Sequence, residues 1–392
     1  MIEGDFMRVL MIKLSPIEGL NSSTIRALSL AKGFEELGHK IDYITIPISS
    51  THVKMEKKSL EQKINIIKTK PNEQYETVIS KGKKGFVHRV ITKILRKVYH
   101  KITIYNYTYS IAKSMDISLL NNPNYDLVIS ISDPKTSHIA MEKLIAERLK
   151  YKKWIQYWGD PMTVDITSKS IYPSKYIKKK ELSLLKNADA IVYVSPFTLK
   201  VQEKLFPQLA KKMHFLPVPY YESKIYGETE NLKYTIGYFG AYNSKIRNIN
   251  PLYQCCAKLS ETVDLIIVGD SDLKLKEKEN IEIHPRGDIS FFEEKVDLLV
   301  CMLNNKGTQI PGKVYHYAAT NKPILIILDG QNKREMKEYF KSFGRYYICD
   351  NKISSIMEKI KEIINDNVEF EPSKEFSPKL IASQFIKLHN ID

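Results

Sequence analysis

Short apolar runs of strand type alternate with helical segments of ten or so residues, and the alternation is run through twice in this chain. In the first half, Arg8–Leu14, Ile41–Ile46, Ile64–Lys68, Asp126–Ile131, Trp154–Trp158, Ala190–Val194 and Met213–Leu216 read as strands. Between them, Ser22–Leu37 (capped by Ser22 or Ser23 and ended by Gly38), Ser137–Leu149, Ile177–Lys186 and Pro196–Leu205 read as helices. The second half repeats the scheme. Strands are expected at Thr235–Gly240, Val263–Val268, Ile281–His284, Val296–Leu303, Pro323–Leu328 and Tyr346–Cys349. Helices are expected at Pro251–Leu259, Pro311–Ala319, Lys333–Phe343, Ile353–Ile364 and, last, Pro378–Leu388. Strands joined through helices form parallel sheets with right-handed crossovers.

The 392 residues suit two domains. The join is the stretch LPVPYYESKIYGETENLK, rich in proline and mixed charge. The expected organisation is an N-terminal domain over 1–218, a linker over 219–233, a second domain over 234–375, and a terminal helix at 376–392 crossing back to the first domain. Each domain is expected to be a doubly wound, Rossmann-like sheet, the two facing across a cleft. Ligands of such sheets bind beyond the carboxyl ends of the strands, so chemistry is sought in the strand-to-helix loops.

The net charge of +15 is lopsided. Residues 1–220 hold 36 Lys and Arg against 20 Asp and Glu, whereas the remainder is nearly balanced. Lys81–Lys101 has eight basic residues and no acid, with Val87, Ile91, Ile94, Leu95, Val98 and Ile102 at helical spacing. A basic amphipathic helix there would dock on an anionic membrane surface, which makes the insert near 81–120 membrane-facing. An ordinary solvated helix is the alternative. No nucleic-acid motif accompanies the charge. The four cysteines form no CxxC pair, in keeping with a reducing compartment. No apolar run is long enough to span a bilayer. A cytoplasmic protein held at the inner face of the plasma membrane is expected. Its oligomeric state is left open.

The segment KGTQIPGKVYHYAATNKPILIIL, Lys306–Leu328, carries the strongest signal. A strand ends, a polar loop follows, and a helix starts near Pro311, where amide N–H groups and the helix dipole suit a phosphate. Lys313 and His316 are three residues apart on one helix face. A buried helix with a satisfied histidine is the other reading. In TIGYFGAYNSKIRNINPL, Thr235–Leu252, Gly240 permits close backbone approach, and Lys245 and Arg247 are rival phosphate cations. Asp270-Ser271-Asp272 has the DxD form of some metal-dependent transferases, but an acidic turn explains it as well. The loops SPIEGLNSSTIRAL and the one after Gly240 lack GxGxxG, which disfavours a nicotinamide dehydrogenase.

Taken with DLIIVGD and IEIHPRGDIS, these segments resemble the donor half of the family 4 nucleotide-sugar glycosyltransferases, which have the GT-B fold. The opening RVLMIKLSPIEGLNSSTIRALSLAKGFEELGHKIDYITI is similar to the family's first strand, loop and helix. YDLVISISDPKTSHIAMEKL and KWIQYWGDPMT resemble a subgroup of bacterial surface-polysaccharide assembly. The resemblance covers most of the chain outside residues 47–120. It implies a retaining transfer from a UDP- or GDP-linked sugar to a lipid-linked or polymeric glycan acceptor, with no cofactor and no metal. It implies donor contacts from Gly240, Tyr242, Lys245, Arg247, Arg286, Gly287, Thr308, Gln309, Ile310, Pro311, Gly312, Lys313 and His316. Catalytic roles fall to His138 and Asp160, and acceptor-side positions to Gly19, Ser22 and Ser23. The family has two glutamates with seven residues between them where this chain has Thr308 and His316. That departure leaves a catalytically degenerate binding or scaffolding protein as the alternative.

Overall fold

The structure is a computed structural model describing residues 6–19, 21–47, 64–69, 103–105, 108–166, 170–330, 332–366 and 368–390. The basic helix expected within 81–101 lies outside these residues. The chain divides into two compact units: Met1–Tyr221 with Ser377–Asp392, and Glu222–Phe376.

In chain order, unit 1 contains β1 (Arg8–Ile12), α1 (Ser22–Glu36), β2 (Lys40–Thr45), β3 (Ile64–Lys68), α2 (Tyr109–Lys113) and β4 (Asn124–Ile131). Then come α3 (Thr136–Ala146), β5 (Lys150–Trp158), α4 (Ser174–Leu185), β6 (Ala190–Tyr193), α5 (Pro196–Leu205) and β7 (Met213–Phe215). Its seven strands lie in the order β3-β2-β1-β4-β5-β6-β7, all pairings parallel. The central strands are apolar on both faces because helices cover both. Val9 through Ile12 are fully buried, as are Leu127 through Ile129. Helix α1 is capped not by Ser22 or Ser23 but by Asn21, whose side chain accepts from Thr24 N at 2.9 Å. Ser23 is instead used as a side-chain ligand in the loop network described below.

Unit 2 contains β8 (Tyr234–Phe239), α6 (Asn250–Lys258), β9 (Val263–Val268), β10 (Ile281–His284), α7 (Ser290–Lys295) and β11 (Leu298–Met302). It continues with α8 (Lys313–Tyr317), β12 (Ile324–Leu328), α9 (Lys333–Lys341), β13 (Tyr347–Asp350) and α10 (Ile353–Asn365). The six parallel strands run β10-β9-β8-β11-β12-β13. The last helix, α11 (Pro378–His389), returns to unit 1 and packs on α1. All four cysteines are buried and free.

Each sheet reverses its strand order once, between β1 and β4 in unit 1 and between β8 and β11 in unit 2. In open parallel sheets the carboxyl ends of such neighbouring strands splay their loops apart and leave a crevice. The candidate sites lie there.

Candidate active site

In unit 2, Gly240 follows β8, and a turn carries the chain to Arg247. Ser244 donates from N and Oγ to Asp272 at 2.9 and 2.7 Å, so the DxD triplet secures this turn. Arg247 reaches back: its Nε donates to Asn304 Oδ1 at 2.7 Å and Nη1 to the Ala241 carbonyl at 3.3 Å. Asn304 follows β11, so the arginine spans the switch point. Lys313 arrives from the same side, its Cε 3.7 Å from where a Cβ on Gly240 would lie. Burial above all pulls its ammonium down to about 8, against the opposing pull of Glu293 and with smaller contributions from the charges of Arg247 and Arg286. Lys313 and Arg247 thus both reach the loop after β8. Lys245 is exposed in the same turn, within electrostatic reach of Asp272.

Three polar side-chain atoms in the loop after β11 and in α8 are left over. Gln309 Oε1, His316 Nε2 and Asn305 Oδ1 are buried without a hydrogen-bond partner. Such orphaned atoms cost about 1–3 kcal/mol each unless something satisfies them. Burial pushes His316 down to about 4, so it is a neutral ring with one donor and one acceptor.

The helix start differs from expectation. Helix α8 begins at Lys313, two residues beyond Pro311, and has five residues. The amides of Val314, Tyr315 and His316 are already engaged, with Pro311 O and Gly312 O. So short a helix has little dipole, and side-chain cations rather than bare amides supply the positive field. Tyr242 packs in the unit 2 core, edge-on to Tyr238. Ile310 is buried, Thr308, Pro311 and Gly312 are half-buried, and Arg286 and Gly287 are exposed just after β10.

In unit 1 a cavity of about 520 Å³ opens at the β1–β4 switch point, lined by Ser22, Ser23, Arg26, Tyr105, Asp133, Lys135 and Asp160 among others. Beneath it, fully buried Lys13 donates to Ser23 Oγ at 2.9 Å and to the Asp133 carbonyl. Arg26, also buried, donates to the Ser132 carbonyl. Lys135 pairs with Asp133 at 2.6 Å. Asp160 faces this charged group, and burial together with the Asp133 charge raises its carboxyl to about 6. Burial pulls Lys13 down to about 7. Nothing in the run RVLMIKL marks Lys13 as part of such a network, because its partners Ser23 and Asp133 are remote in sequence.

His138 does not line the cavity. It is fully buried, stacks on Trp158 with centroids 4.4 Å apart, and has Nδ1 2.8 Å from Ser130 Oγ. Gly19 is buried in the loop after β1 and lies outside the lining. Ser22 and Ser23 do line it. Among the described residues no group of three or more His, Cys, Asp or Glu side chains gathers as metal ligands.

Two parallel-sheet α/β units of this kind constitute the fold of the GT-B glycosyltransferases. A glycosyltransferase from Rickettsia africae is similar over 99% of this chain and 98% of its own, with a TM-score of 0.58 and 15% identity. HepE of Anabaena, solved with UDP and glucose, is similar over 98% of this chain and 97% of its own, at 0.55 and 12%. A mutant of S. aureus TarM, solved with fondaparinux, α-GlcNAc-glycerol and UDP, is similar over 98% and 100%, at 0.58 and 10%. Likeness at these identities establishes the fold alone. No protein-family model matches the chain, and no curated protein does.

Proposed function

We propose that the protein is a retaining glycosyltransferase of the hexosyltransferase type, of family 4 and its surface-polysaccharide branch. In this reading unit 2 takes a UDP- or GDP-linked sugar, and unit 1 takes a lipid-linked or cell-surface glycan acceptor. The observation that carries it is the meeting of Lys313 and Arg247 over the ends of β8 and β11, beside buried Gln309 and His316 atoms that have no protein partner. Two cations suit a diphosphate, and neutral amide and imidazole groups suit the hydroxyls of a sugar or ribose. The complexes of HepE with UDP and glucose and of TarM with UDP support a uridine donor.

In the proposed reaction the bond from the anomeric carbon to the diphosphate oxygen breaks and the acceptor hydroxyl bonds to the same face of that carbon. Lys313 and Arg247 stabilise the charge that develops on the leaving diphosphate. The departing phosphate takes the acceptor's proton. Ser22, Ser23 and Asp160 hold the acceptor. His138 acts from below as a positioning residue, through Trp158 and Ser130. Arg286 and Gly287 border the nucleobase, and Thr308 to Gly312 wrap the sugar.

Peripheral attachment to the inner membrane face belongs to the proposal and rests on the basic stretch Lys81–Lys101. No helix among the described residues is long and apolar enough to cross a membrane. The test is thermal unfolding of the full chain against a panel of nucleotides and nucleotide sugars, because a ligand bound only by the folded state raises the midpoint. A rise for one nucleotide sugar that exceeds the rise for its free sugar supports the reading. Equal midpoints throughout would reject it.

A further inference from the structure

A row of tyrosines leads away from the unit 1 cavity. Tyr105 belongs to the cavity lining and stacks on Tyr109, with ring centroids 5.2 Å apart and planes 8° apart. Tyr109, Glu142 and Tyr176 all lie within electrostatic reach of the Tyr105 hydroxyl. Tyr176 in turn lies against Tyr172, centroids 5.2 Å apart. Tyr109, Tyr172 and Tyr176 are exposed, and Ile171 beside them is 64% exposed. Single exposed aromatic residues need no explanation, but two neighbouring tyrosine pairs, one of them starting in a cavity lining, mark a binding surface.

Away from the cavity, where Glu142 acts on Tyr105, the surface is basic. Ser170–Lys180 contains four lysines and no acid. The Lys180 ammonium is 5.5 Å from the Tyr176 ring centre and the Lys113 ammonium 5.8 Å from that of Tyr109. Lys175 and Lys179 are exposed on α4, the helix that carries Tyr176.

We propose that this surface binds an anionic oligosaccharide chain whose terminal sugar enters the cavity. The inference rests on reading unit 1 as the acceptor side and names the acceptor's class. A pyranose ring presents C–H groups from its face and hydroxyls from its rim, so it stacks on a tyrosine while its edges stay hydrated. The tyrosine hydroxyl adds a donor and an acceptor at that edge. Flanking lysines match carboxylate or phosphate groups carried along the chain. The cavity itself favours a glycan over an acyl chain, since Ser22, Ser23, Asp133, Lys135 and Asp160 form a polar wall.

Calorimetric titration of the full chain with hyaluronan disaccharide, hyaluronan hexasaccharide and neutral maltohexaose tests this. The hexasaccharide is expected to bind about tenfold tighter than either of the others. Tyr172→Ser combined with Tyr176→Ser is expected to weaken it about tenfold without moving the unfolding midpoint by more than about 2 °C, both side chains being exposed. Lys175→Gln with Lys179→Gln is expected to weaken it and to flatten its salt dependence. UDP affinity is expected to stay constant throughout, so loss of the glycan and loss of the donor are read separately. Wild-type hexasaccharide affinity in the tyrosine variant would overturn the proposal. So would binding to phosphatidylglycerol vesicles with none to any oligosaccharide, which would make the row a lipid surface.

Discussion

Arg247 holds Asn304 through a 2.7 Å bond from Nε to Oδ1, and the pair joins the loop after β8 to the loop after β11. Because Nε is spent on that bond, the other guanidinium nitrogens are aimed and not free to swing. Asn304→Ala should therefore weaken nucleotide binding several-fold by releasing the guanidinium. Arg247→Ala should weaken it by about 10- to 100-fold, the range for a charge-assisted bond, and Lys245→Ala by less than about threefold. Titration calorimetry of the three variants decides the order.

Lys313 gives a pH signature. Its ammonium is lowered from an ordinary 10.5 to about 8, chiefly by burial. A diphosphate binds the charged form, so affinity should fall as pH rises through about 8. Stability of the free protein should move the other way. Between about 8 and 10.5 the unfolded chain holds the proton that the folded chain has lost, so stability rises with pH over that window. Lys313→Met should flatten both trends relative to wild type. An affinity independent of pH from 7 to 9 in the wild type would remove Lys313 from the site.

Asp160 titrates in the opposite sense. Its carboxyl is raised from 3.8 to about 6, so the folded state keeps the proton longer than the unfolded state and is relatively stabilised below that value. If the ionised form holds the acceptor, turnover should fall as pH drops below about 6, and Asp160→Asn should abolish that limb while leaving UDP affinity unchanged. A pH profile of transfer by the two proteins checks this.

Much of this architecture was legible in the chain. Apolar runs such as VDLIIV and ILIIL are buried on both faces and carry no alternation, which is the mark of central parallel strands. The edges were less legible: β5 begins at Lys150, four residues before Trp154, because its first turn of strand is polar and half-exposed. The cap of α1 fell to Asn21 because three consecutive residues, Asn21 to Ser23, all have capping side chains and only tertiary contacts choose among them. Pro311 marks a loop, and the helix waits until Lys313. The site's long-range elements were not legible. The links between Lys13 and Asp133, and between Arg26 and Ser132, join residues 100 or more apart that no local pattern connects.

Gly33 marks a close approach within unit 1. A Cβ there would lie 2.1 Å from the Pro378 carbonyl oxygen, so α1 and α11 meet backbone to backbone. Gly33→Val should push α11 off α1 and cost about 1–3 kcal/mol, as overpacking does. Chemical unfolding measures the loss. Faster amide exchange confined to α1 and α11 would place it, and an unchanged midpoint would contradict the packing.

The central claim is that Lys313 and Arg247 together receive the diphosphate of a nucleotide sugar. It is tested most directly by calorimetric titration of UDP, GDP and their glucose conjugates into the wild type and the Lys313→Ala, Arg247→Ala double variant. Saturable binding of one nucleotide per chain, lost by about 100-fold or more in a double variant that still unfolds cooperatively, is the predicted result. Equal affinity in both proteins, or no binding of any nucleotide to the wild type, would contradict it.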